Sequence, residues 1–377
     1  MTLGVPTETQ PGERRVALTP DAAGRLIKKQ GYAVRVERGA GASAGFADAD
    51  YETAGAALVS REDALGSDVV CCVQPPPDRE RLEEGAVLVG FLSPLDDPQG
   101  AADLARRGVT ALAMELVPRT TRAQRMDALS AMSTVAGYKA ALMAADRLPK
   151  FFPLLTTAAG TLRPAKLLVL GAGVAGLQAL ATARRLGAIT SGYDIRAAAA
   201  EQVESVGAKF VTLDVAAADA DDGRGYAKAL KEDEQRRQTE ALMAVVAEHD
   251  VVITTALIPG RRAPELITQA GVEAMRPGSV IVDLAAPNGG NCAVTQPGDT
   301  VYHTGVAVLG PTNLAAEMPL HASEMYAKTV SALVAEFTDD AGAFVAAPDD
   351  EIFAGCCVAR GGEVVNERVR ALLAPAD

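Results

Sequence analysis

The sequence of 377 residues contains few of the side chains that build metal centres and disulfide frameworks. Its three histidines, His249, His303 and His321, are widely spaced, so a histidine-rich metal site is not expected. The five cysteines form two adjacent pairs and one single residue, Cys71-Cys72, Cys356-Cys357 and Cys292. This spacing matches neither a C-x-x-C metal site nor a disulfide framework. We therefore predict no metal site and expect the thiols to be buried as small hydrophobic groups.

Long apolar runs and an excess of positive charge are also missing. No stretch approaches the 18 or more consecutive apolar residues of a transmembrane helix. The opening residues MTLGVPTETQPGERR lack the apolar segment of a signal peptide, so we expect a cytoplasmic chain. The formal net charge of -12 argues against a nucleic-acid partner.

Short apolar runs alternate with amphipathic stretches along most of the chain. Thr19 and Pro20 are typical of a helix start and predict a helix to about Gln30, followed by a strand over Ala33–Glu37. A later helix is predicted over Glu265–Met275. Alternation of this kind is typical of α/β folds with parallel sheets, and the length favours two domains.

The stretch from Lys166 to Asp194 has the pattern of a complete β-α-β unit. An apolar run over 167–170 predicts a buried strand, and it leads directly into a G-x-G-x-x-G sequence. An amphipathic helix and a second strand ending at Asp194 follow. The three glycines of the motif are Gly171, Gly173 and Gly176.

Each part of this unit has a physical role if a dinucleotide binds there. Gly171 allows the tight turn, Gly173 lets the backbone approach a pyrophosphate, and Gly176 lets the helix pack closely on the strand. The N–H groups and dipole at the helix N-terminus favour the phosphate charge. Asp194 would accept hydrogen bonds from the ribose hydroxyls and repel a 2′-phosphate, so the unit predicts NAD(H) and not NADP(H).

A second informative segment, Pro118 to Ala144, carries polar side chains spaced three residues apart at Gln124, Asp127 and Ser130. The apolar spacing in its later part predicts a helix that crosses from one domain to the other. Two interpretations stay open from the residues alone. The polar side chains are either a functional cluster or a solvated face with helix-capping residues.

The chain resembles the NAD(H)-binding component, domain I, of the proton-translocating nicotinamide nucleotide transhydrogenase. The resemblance runs almost from end to end. It is carried by RRVALTP at Arg14 to Pro20, RAQRMDALS at Arg122 to Ser130, AGTLRPAKLLVLGAGVAGLQAL, EQVESVGAKF, GYAK at Gly225, TTALIPGRRAP, RPGSVIVDLA and GGNC.

This resemblance implies a set of cofactor-binding residues. The family's Arg-Gln-Asp loop maps onto Arg119, Gln124 and Asp127, with Ser130 completing it, and these residues are implied to hold and orient the nicotinamide and its ribose. Tyr226, beside Gly225, matches a mobile-loop tyrosine that closes over the cofactor. The other implied contacts, besides the three glycines, are Val174, Asp194, Ile195, Arg196, Gln238 and Leu257.

The resemblance also implies an architecture and partners. The expected fold is two Rossmann-like domains with parallel sheets, separated by a cleft and joined by long crossing helices. Residues 1–128 with 315–377 would form the N-terminal domain, and residues 129–314 the NAD(H)-binding domain. The implied partners are an NADP(H)-binding component, a membrane-spanning proton-channel component and a second copy in a homodimer. The chain would then associate peripherally with the inner membrane through these subunits.

Two other functions are compatible with such a chain. Alanine dehydrogenase shares the fold and uses an arginine and a lysine for the substrate carboxylate, with a histidine and an aspartate for proton handling. Arg15 is present here, but Cys72 stands where the lysine is expected, FLSPLDD offers no histidine and APNGG lacks the aspartate. Oxidation of an amine requires such groups, which makes a dehydrogenase the weaker alternative. The other alternative is a non-catalytic regulatory protein that binds NAD.

Overall fold

The structure is a computed structural model that describes residues 1–213, 232–258 and 260–374. The chain divides into two compact units, one formed by Met1–Met132 with Ala315–Asp377 and the other by Ser133–Leu314. Strands and helices are numbered in chain order. Helix α5, Ala128–Arg147, begins in the first unit and continues into the second.

The first unit is built on an eight-stranded sheet with the order β17-β16-β6-β5-β4-β1-β2-β3. Its strands are β1 Thr2–Val5, β2 Ala33–Glu37, β3 Ala57–Val59, β4 Val69–Cys71, β5 Val87–Gly90, β6 Thr110–Ala113, β16 Cys357–Arg360 and β17 Glu363–Val364. Its helices are α1 Pro20–Gln30, α2 Asp48–Ala54, α3 Arg61–Leu65, α4 Pro98–Arg106, α10 Pro319–Glu336, α11 Glu351–Cys356 and α12 Glu367–Leu373. Strands β1 to β6 pair in parallel, and the antiparallel pairs of this sheet, among the described residues, are β6–β16 and β16–β17.

The second unit contains a seven-stranded sheet with the order β11-β10-β9-β12-β13-β15-β14. Its strands are β9 Lys166–Leu170, β10 Ile189–Tyr193, β11 Lys209–Phe210, β12 Val251–Thr254, β13 Val280–Asp283, β14 Thr300–His303 and β15 Val306–Leu309, and a separate hairpin is formed by β7 Leu155–Thr157 and β8 Gly160–Leu162. Its helices are α6 Val174–Arg185, α7 Ala199–Ser205, α8 Glu232–Ala247 and α9 Gln269–Glu273. Only β14 runs antiparallel to its neighbour in this sheet, within the described part of the chain.

The first six strands of the first sheet follow the order 3-2-1-4-5-6. The second sheet begins with the same order, 3-2-1-4-5, but its sixth position is occupied by β15, with β14 outside it. In both sheets the strand order reverses beside the first strand. Ligands of such sheets bind outside the carboxyl ends of the strands at this reversal. The predicted α/β fold with Rossmann-like, mainly parallel sheets is therefore confirmed. The antiparallel strands lie at or next to a sheet edge, where strand direction is not fixed by a helical crossover.

The cores consist of small aliphatic side chains on both faces of the strands. In the second unit, Leu167 and Val169 face one cluster, while Leu168 and Leu170 face the other. This alternation explains why the run over 167–170 is continuously apolar, since a strand covered on both faces has no solvent side. All five cysteines are buried and unpaired, as predicted.

Local sequence signals locate some elements well and others poorly. Helix α1 has the predicted bounds, because Thr19 accepts a hydrogen bond from the N–H of Ala22 and Pro20 occupies the first turn. The predicted helix over Glu265–Met275 is wrong in extent. Thr268 caps a much shorter helix, α9, and Leu266 and Ile267 instead donate their N–H groups to the carbonyl of Asn291. No helix of the described residues is long and apolar enough to cross a membrane.

Candidate functional site

The glycine turn lies between β9 and α6, at the carboxyl end of the first strand of the second sheet. Gly171 has φ +103°, in the left-handed region that favours glycine, and its N–H donates to the carbonyl of Tyr193 at 2.8 Å. A β-carbon at Gly176 would lie 1.9 Å from the carbonyl oxygen of Gly171, so only glycine permits this approach of helix to strand. These two residues have the conformational roles predicted from the sequence.

Gly173 lies on the open side of the same turn. A β-carbon built there meets no atom of the described residues within 4 Å, and the residue precedes α6 without a side-chain cap. Val174 begins the helix and is exposed. The first N–H groups of a helix have no partner inside the helix, so this exposed end offers hydrogen-bond donors and a positive dipole to an anion.

Asp194 follows β10 and lies across the turn from Gly171. Its carboxylate accepts hydrogen bonds from the N–H of Ala172 at 2.8 Å and from the N–H of Arg196 at 2.9 Å. The Arg196 guanidinium adds two more at 3.0 Å each. The carboxylate of Asp194 is therefore hydrogen-bonded to the glycine turn through Ala172 and forms an ion pair with Arg196.

The other residues implied to contact the cofactor in this unit lie on separate elements. Gln238, in α8, donates from Nε2 to the hydroxyl of Tyr193. Leu257 is exposed in the segment after β12, and Ile195 is half-buried between Asp194 and Arg196. Gly225 and Tyr226 lie outside the described residues.

The polar cluster of the first unit lies where a 3-10 turn, Arg122–Met126, meets the start of α5. Asp127 accepts hydrogen bonds from the N–H of Ser130 at 2.8 Å and from its hydroxyl at 2.5 Å. Asp127 thus caps the first turn of α5, which agrees with the interpretation of this segment as a solvated face with helix-capping residues. Gln124 and Arg119 are exposed on the same loop.

Ion pairs flank Gln124 on both sides of the turn. Arg122 contacts both carboxylate oxygens of Asp350 at 2.5 Å, and Arg125 pairs with Glu336 of α10. Asp350 also caps α11 through the N–H groups of Ile352 and Phe353, so the pair joins two fixed elements. These contacts hold the backbone that carries Gln124 while its side chain faces solvent.

The two residues compared with alanine dehydrogenase, Arg15 and Cys72, lie in the first unit, and Cys72 directly follows β4. Arg15 forms a two-point pair with Glu13, with Nε 2.7 Å from Oε1 and Nη2 2.6 Å from Oε2. Cys72 is 1% exposed, and its Sγ lies 3.6 Å from the carbonyl of Val89. Burial raises the pKa of the Cys72 thiol well above its ordinary value, so the thiol is neutral.

Two half-buried glutamates bind backbone N–H groups just after β4 and β5. Glu8 accepts hydrogen bonds from the N–H groups of Val73 at 2.6 Å and Gln74 at 3.0 Å, and Glu115 accepts from those of Leu92 and Ser93. Burial raises the pKa of each to about 7, although the backbone N–H groups act in the opposite direction. Neither residue was predicted from the sequence, because nothing local shows that a glutamate side chain will turn toward the backbone after a distant strand.

Two Rossmann-like units, with a glycine turn and a carboxylate at the strand reversal of the second, define a protein of the dinucleotide-binding class. The family models of the alanine dehydrogenase/PNT N-terminal and C-terminal domains match residues 4–136 and 140–367. The chain therefore belongs to the alanine dehydrogenase/PNT family.

Individual relatives place the chain nearer to one branch of this family. It is 44% identical over 377 residues to the first part of the NAD(P) transhydrogenase subunit alpha of Rhodospirillum rubrum, covering 97% of this chain and 98% of that one. It is 35% identical to the alanine dehydrogenase of Bacillus subtilis over 303 residues, covering 77% and 72%. The crystal structure of the transhydrogenase from Sinorhizobium meliloti matches with a TM-score of 0.88 and 39% identity, covering 97% of this chain and all of that one. The resemblance to the transhydrogenase component is confirmed, and NAD(H) binding and an oxidoreductase role fit it.

Proposed function

We propose that this chain is the NAD(H)-binding component of a proton-translocating transhydrogenase, cytoplasmic and attached peripherally to the membrane through its partners. It would hold NADH so that a hydride passes directly to NADP+ on a separate component, while a membrane-spanning component couples the transfer to proton movement. The 44% identity to a protein named as a portion of a transhydrogenase subunit supports the proposal and the need for partner chains.

The observation that carries the proposal is the chemistry around Cys72. A dehydrogenase for a small amino acid needs a cation for the substrate carboxylate and groups that handle the amine proton. Here the expected lysine is a neutral thiol buried against Val89, and Arg15 is paired with Glu13. Transfer between two nicotinamides needs no general acid or base, only rings held with the reacting carbons roughly 3–3.5 Å apart.

The residues present fit a dinucleotide. The open turn at Gly173 and the uncapped start of α6 suit the pyrophosphate, and Asp194 suits the adenosine ribose. We assign the orientation of the nicotinamide to Gln124, Asp127 and Ser130, with Arg119 contributing to binding. Bound NADH supplies the hydride, and the protein supplies position and exclusion of water.

The proposed homodimer has support in the second unit. The β7–β8 hairpin is a separate two-stranded sheet, and isolated hairpins are marginally stable in water. Exposed large apolar side chains lie in the hairpin and just before it in the sequence, and they include Phe151, Leu154 and Leu162. Light scattering of the purified chain tests this assembly, and a monomer at micromolar concentration would contradict it.

A reconstituted assay tests the main proposal. The chain is mixed with an NADP(H)-binding transhydrogenase component, and transfer from NADH to an NADP+ analogue is followed. Transfer that requires both components is expected, and its absence at saturating NADH would reject the enzymatic function. Binding of NADH without transfer would instead favour a regulatory protein. Steady NADH production from alanine and NAD+ would favour the dehydrogenase.

A further inference from the structure

Asp283, at the end of β13, is a fully buried carboxylate surrounded by hydrogen-bond donors. A buried charge is tolerated in a protein when hydrogen bonds replace the water it has lost. The donors are the hydroxyls of Thr254 at 2.8 Å and Thr295 at 2.7 Å, and the N–H groups of Ala285 at 3.0 Å, Asn291 at 2.7 Å and Cys292 at 3.1 Å. The carboxylate thus organises the loop that follows its own strand.

Gly290 makes this arrangement possible. A β-carbon at this position would lie 2.8 Å from Oδ2 of Asp283 and 2.9 Å from Cβ of Thr295. Its φ of +80° also lies in the region that other residues rarely adopt. The backbone therefore wraps closely around the carboxylate and delivers Asn291 to a fixed place.

The side chain of Asn291 binds the backbone of the neighbouring loop at two points. Its Nδ2 donates to the carbonyl of Ala256 at 2.9 Å, and its Oδ1 accepts from the N–H of Ala256 at 3.0 Å. Nδ2 also donates to the carbonyl of Pro264 at 2.8 Å. Only a primary amide offers both donors and an acceptor in this geometry, so neither aspartate nor serine can replace it fully.

The residue before Ala256 contacts the glycine turn directly. Thr255 donates its N–H to the carbonyl of Leu170 at 2.9 Å and its hydroxyl to the carbonyl of Gly171 at 2.8 Å. A chain of hydrogen bonds therefore runs from Asp283 through Asn291, Ala256 and Thr255 to the first glycine of the fingerprint. All of its members belong to the second unit.

We infer that Asn291, held in place by Asp283, is a positioning residue for the cofactor site, because it fixes Thr255–Ile258 against the Gly171 turn and thereby places Leu257. This inference rests on the proposed NAD(H) function. Asn291 acts through Ala256 and Thr255, so its substitution should displace the binding site as a whole. We expect the substitution to raise the KM for NADH and to leave kcat nearly unchanged.

The test compares Asn291→Asp with Asp250→Asn. Asp250 lies at the opposite, amino end of the same sheet and accepts hydrogen bonds from Lys150 and from the N–H of Lys166. Both substitutions disturb a polar network of the second unit, so both should lower Tm. Only Asn291→Asp should weaken NADH binding, by tenfold or more, in fluorescence titrations well below Tm. Equal NADH dissociation constants in the two variants would overturn the inference.

A second pair of variants keeps the test decisive if Asn291→Asp does not fold. Thr255→Val removes the hydroxyl that holds Gly171, and we expect NADH affinity to fall roughly three- to tenfold. Thr190→Val is the matched control, since the hydroxyl of Thr190 is buried in β10 and has no hydrogen-bond partner within residues 1–213, 232–258 and 260–374. Unchanged affinity in Thr255→Val would also overturn the inference. If the wild-type chain itself binds no NADH, the proposed function fails instead, so the two failures are distinguishable.

Discussion

Arg196 closes on Asp194 at two points, with Nε 3.0 Å from Oδ1 and Nη2 3.0 Å from Oδ2. Burial by itself raises the pKa of Asp194, but the hydrogen bonds from Arg196 and Ala172 outweigh it and hold the pKa below its ordinary value. The carboxylate is therefore ionised at neutral pH. Four donors already occupy its acceptor positions, so two ribose hydroxyls can bind only if the guanidinium turns away.

Replacing Asp194 with asparagine tests this part of the site. We expect Asp194→Asn to weaken NADH binding about 10- to 100-fold, since hydrogen bonds to a charged group contribute ~1.5–3 kcal/mol. It should also bring the dissociation constants of NADH and NADPH closer together. The substitution removes the negative charge that repels a 2′-phosphate, and it removes the ion-pair partner of Arg196. Fluorescence titration with both nucleotides measures the two dissociation constants. If the ratio of the NADH and NADPH dissociation constants in Asp194→Asn equals that of the wild type, Asp194 does not select the cofactor.

How much the sequence could predict depends on the distance along the chain between interacting residues. The β9–α6–β10 unit was placed within about one residue, since its strand, turn and helix signals are contiguous. The contacts of Asn291 with Ala256, and of Arg122 with Asp350, join segments far apart in sequence. No local pattern reports such a pairing.

Two elements outside that unit differ in how far the sequence reveals them. Helix α4 was not predicted, although it begins with Asp97 accepting from the N–H of Gly100 and with Pro98 in the first turn, which are ordinary start signals. Strand β16 begins directly after α11. Its place beside β6 depends on tertiary pairing, which the sequence does not encode locally.

The glycine turn offers a contrast between two similar substitutions. Gly176→Ala should destabilise the second unit and abolish NADH binding, because its β-carbon would overlap the carbonyl of Gly171. Gly173→Ala should fold with nearly unchanged Tm, since no atom in the described part of the chain lies within 4 Å of the added β-carbon. It should nevertheless bind NADH at least tenfold more weakly, because the methyl group stands where the pyrophosphate approaches. Calorimetry and NADH titration of both variants measure these effects, and tight binding by Gly173→Ala would refute the pyrophosphate assignment.

Gln124 is the residue whose substitution should separate binding from transfer. Gln124→Asn shortens the side chain by one methylene while the flanking pairs Arg122–Asp350 and Arg125–Glu336 stay in place. We expect transfer to slow about 10- to 100-fold, since misplacing a reacting group by about 1 Å costs this much. NADH affinity should change less than threefold, because the glycine turn is untouched. Single-turnover transfer rates and NADH titrations provide the comparison, and equal losses in both would argue against an orienting role.

Glu8 and Glu115 give the protein a pH dependence of stability with a defined sign. Each has a pKa of about 7 in the folded chain against an ordinary value of 4.5. Between these values the unfolded chain loses protons that the folded chain keeps, so the free energy of unfolding falls as pH rises. The full contribution is present below about pH 4.5 and is lost as pH passes through about 7. The slope is at most ~1.4 kcal/mol per pH unit for each carboxyl group.

Urea unfolding between about pH 5 and pH 8 measures that slope in the wild type and in Glu115→Gln. In the variant, the free energy of unfolding should change less steeply with pH, because the amide does not titrate and one carboxyl group no longer contributes to the slope. This holds whatever the absolute stability of the variant. Asp78→Asn is the control, since the hydrogen bond from Arg61 lowers the pKa of Asp78 and moves its titration below this window. A Glu115→Gln slope as steep as that of the wild type would mean that Glu115 is ionised in the folded protein. The hydrogen bonds from the N–H groups of Leu92 and Ser93 would then stabilise the ionised form of Glu115 more than its partial burial favours the protonated form.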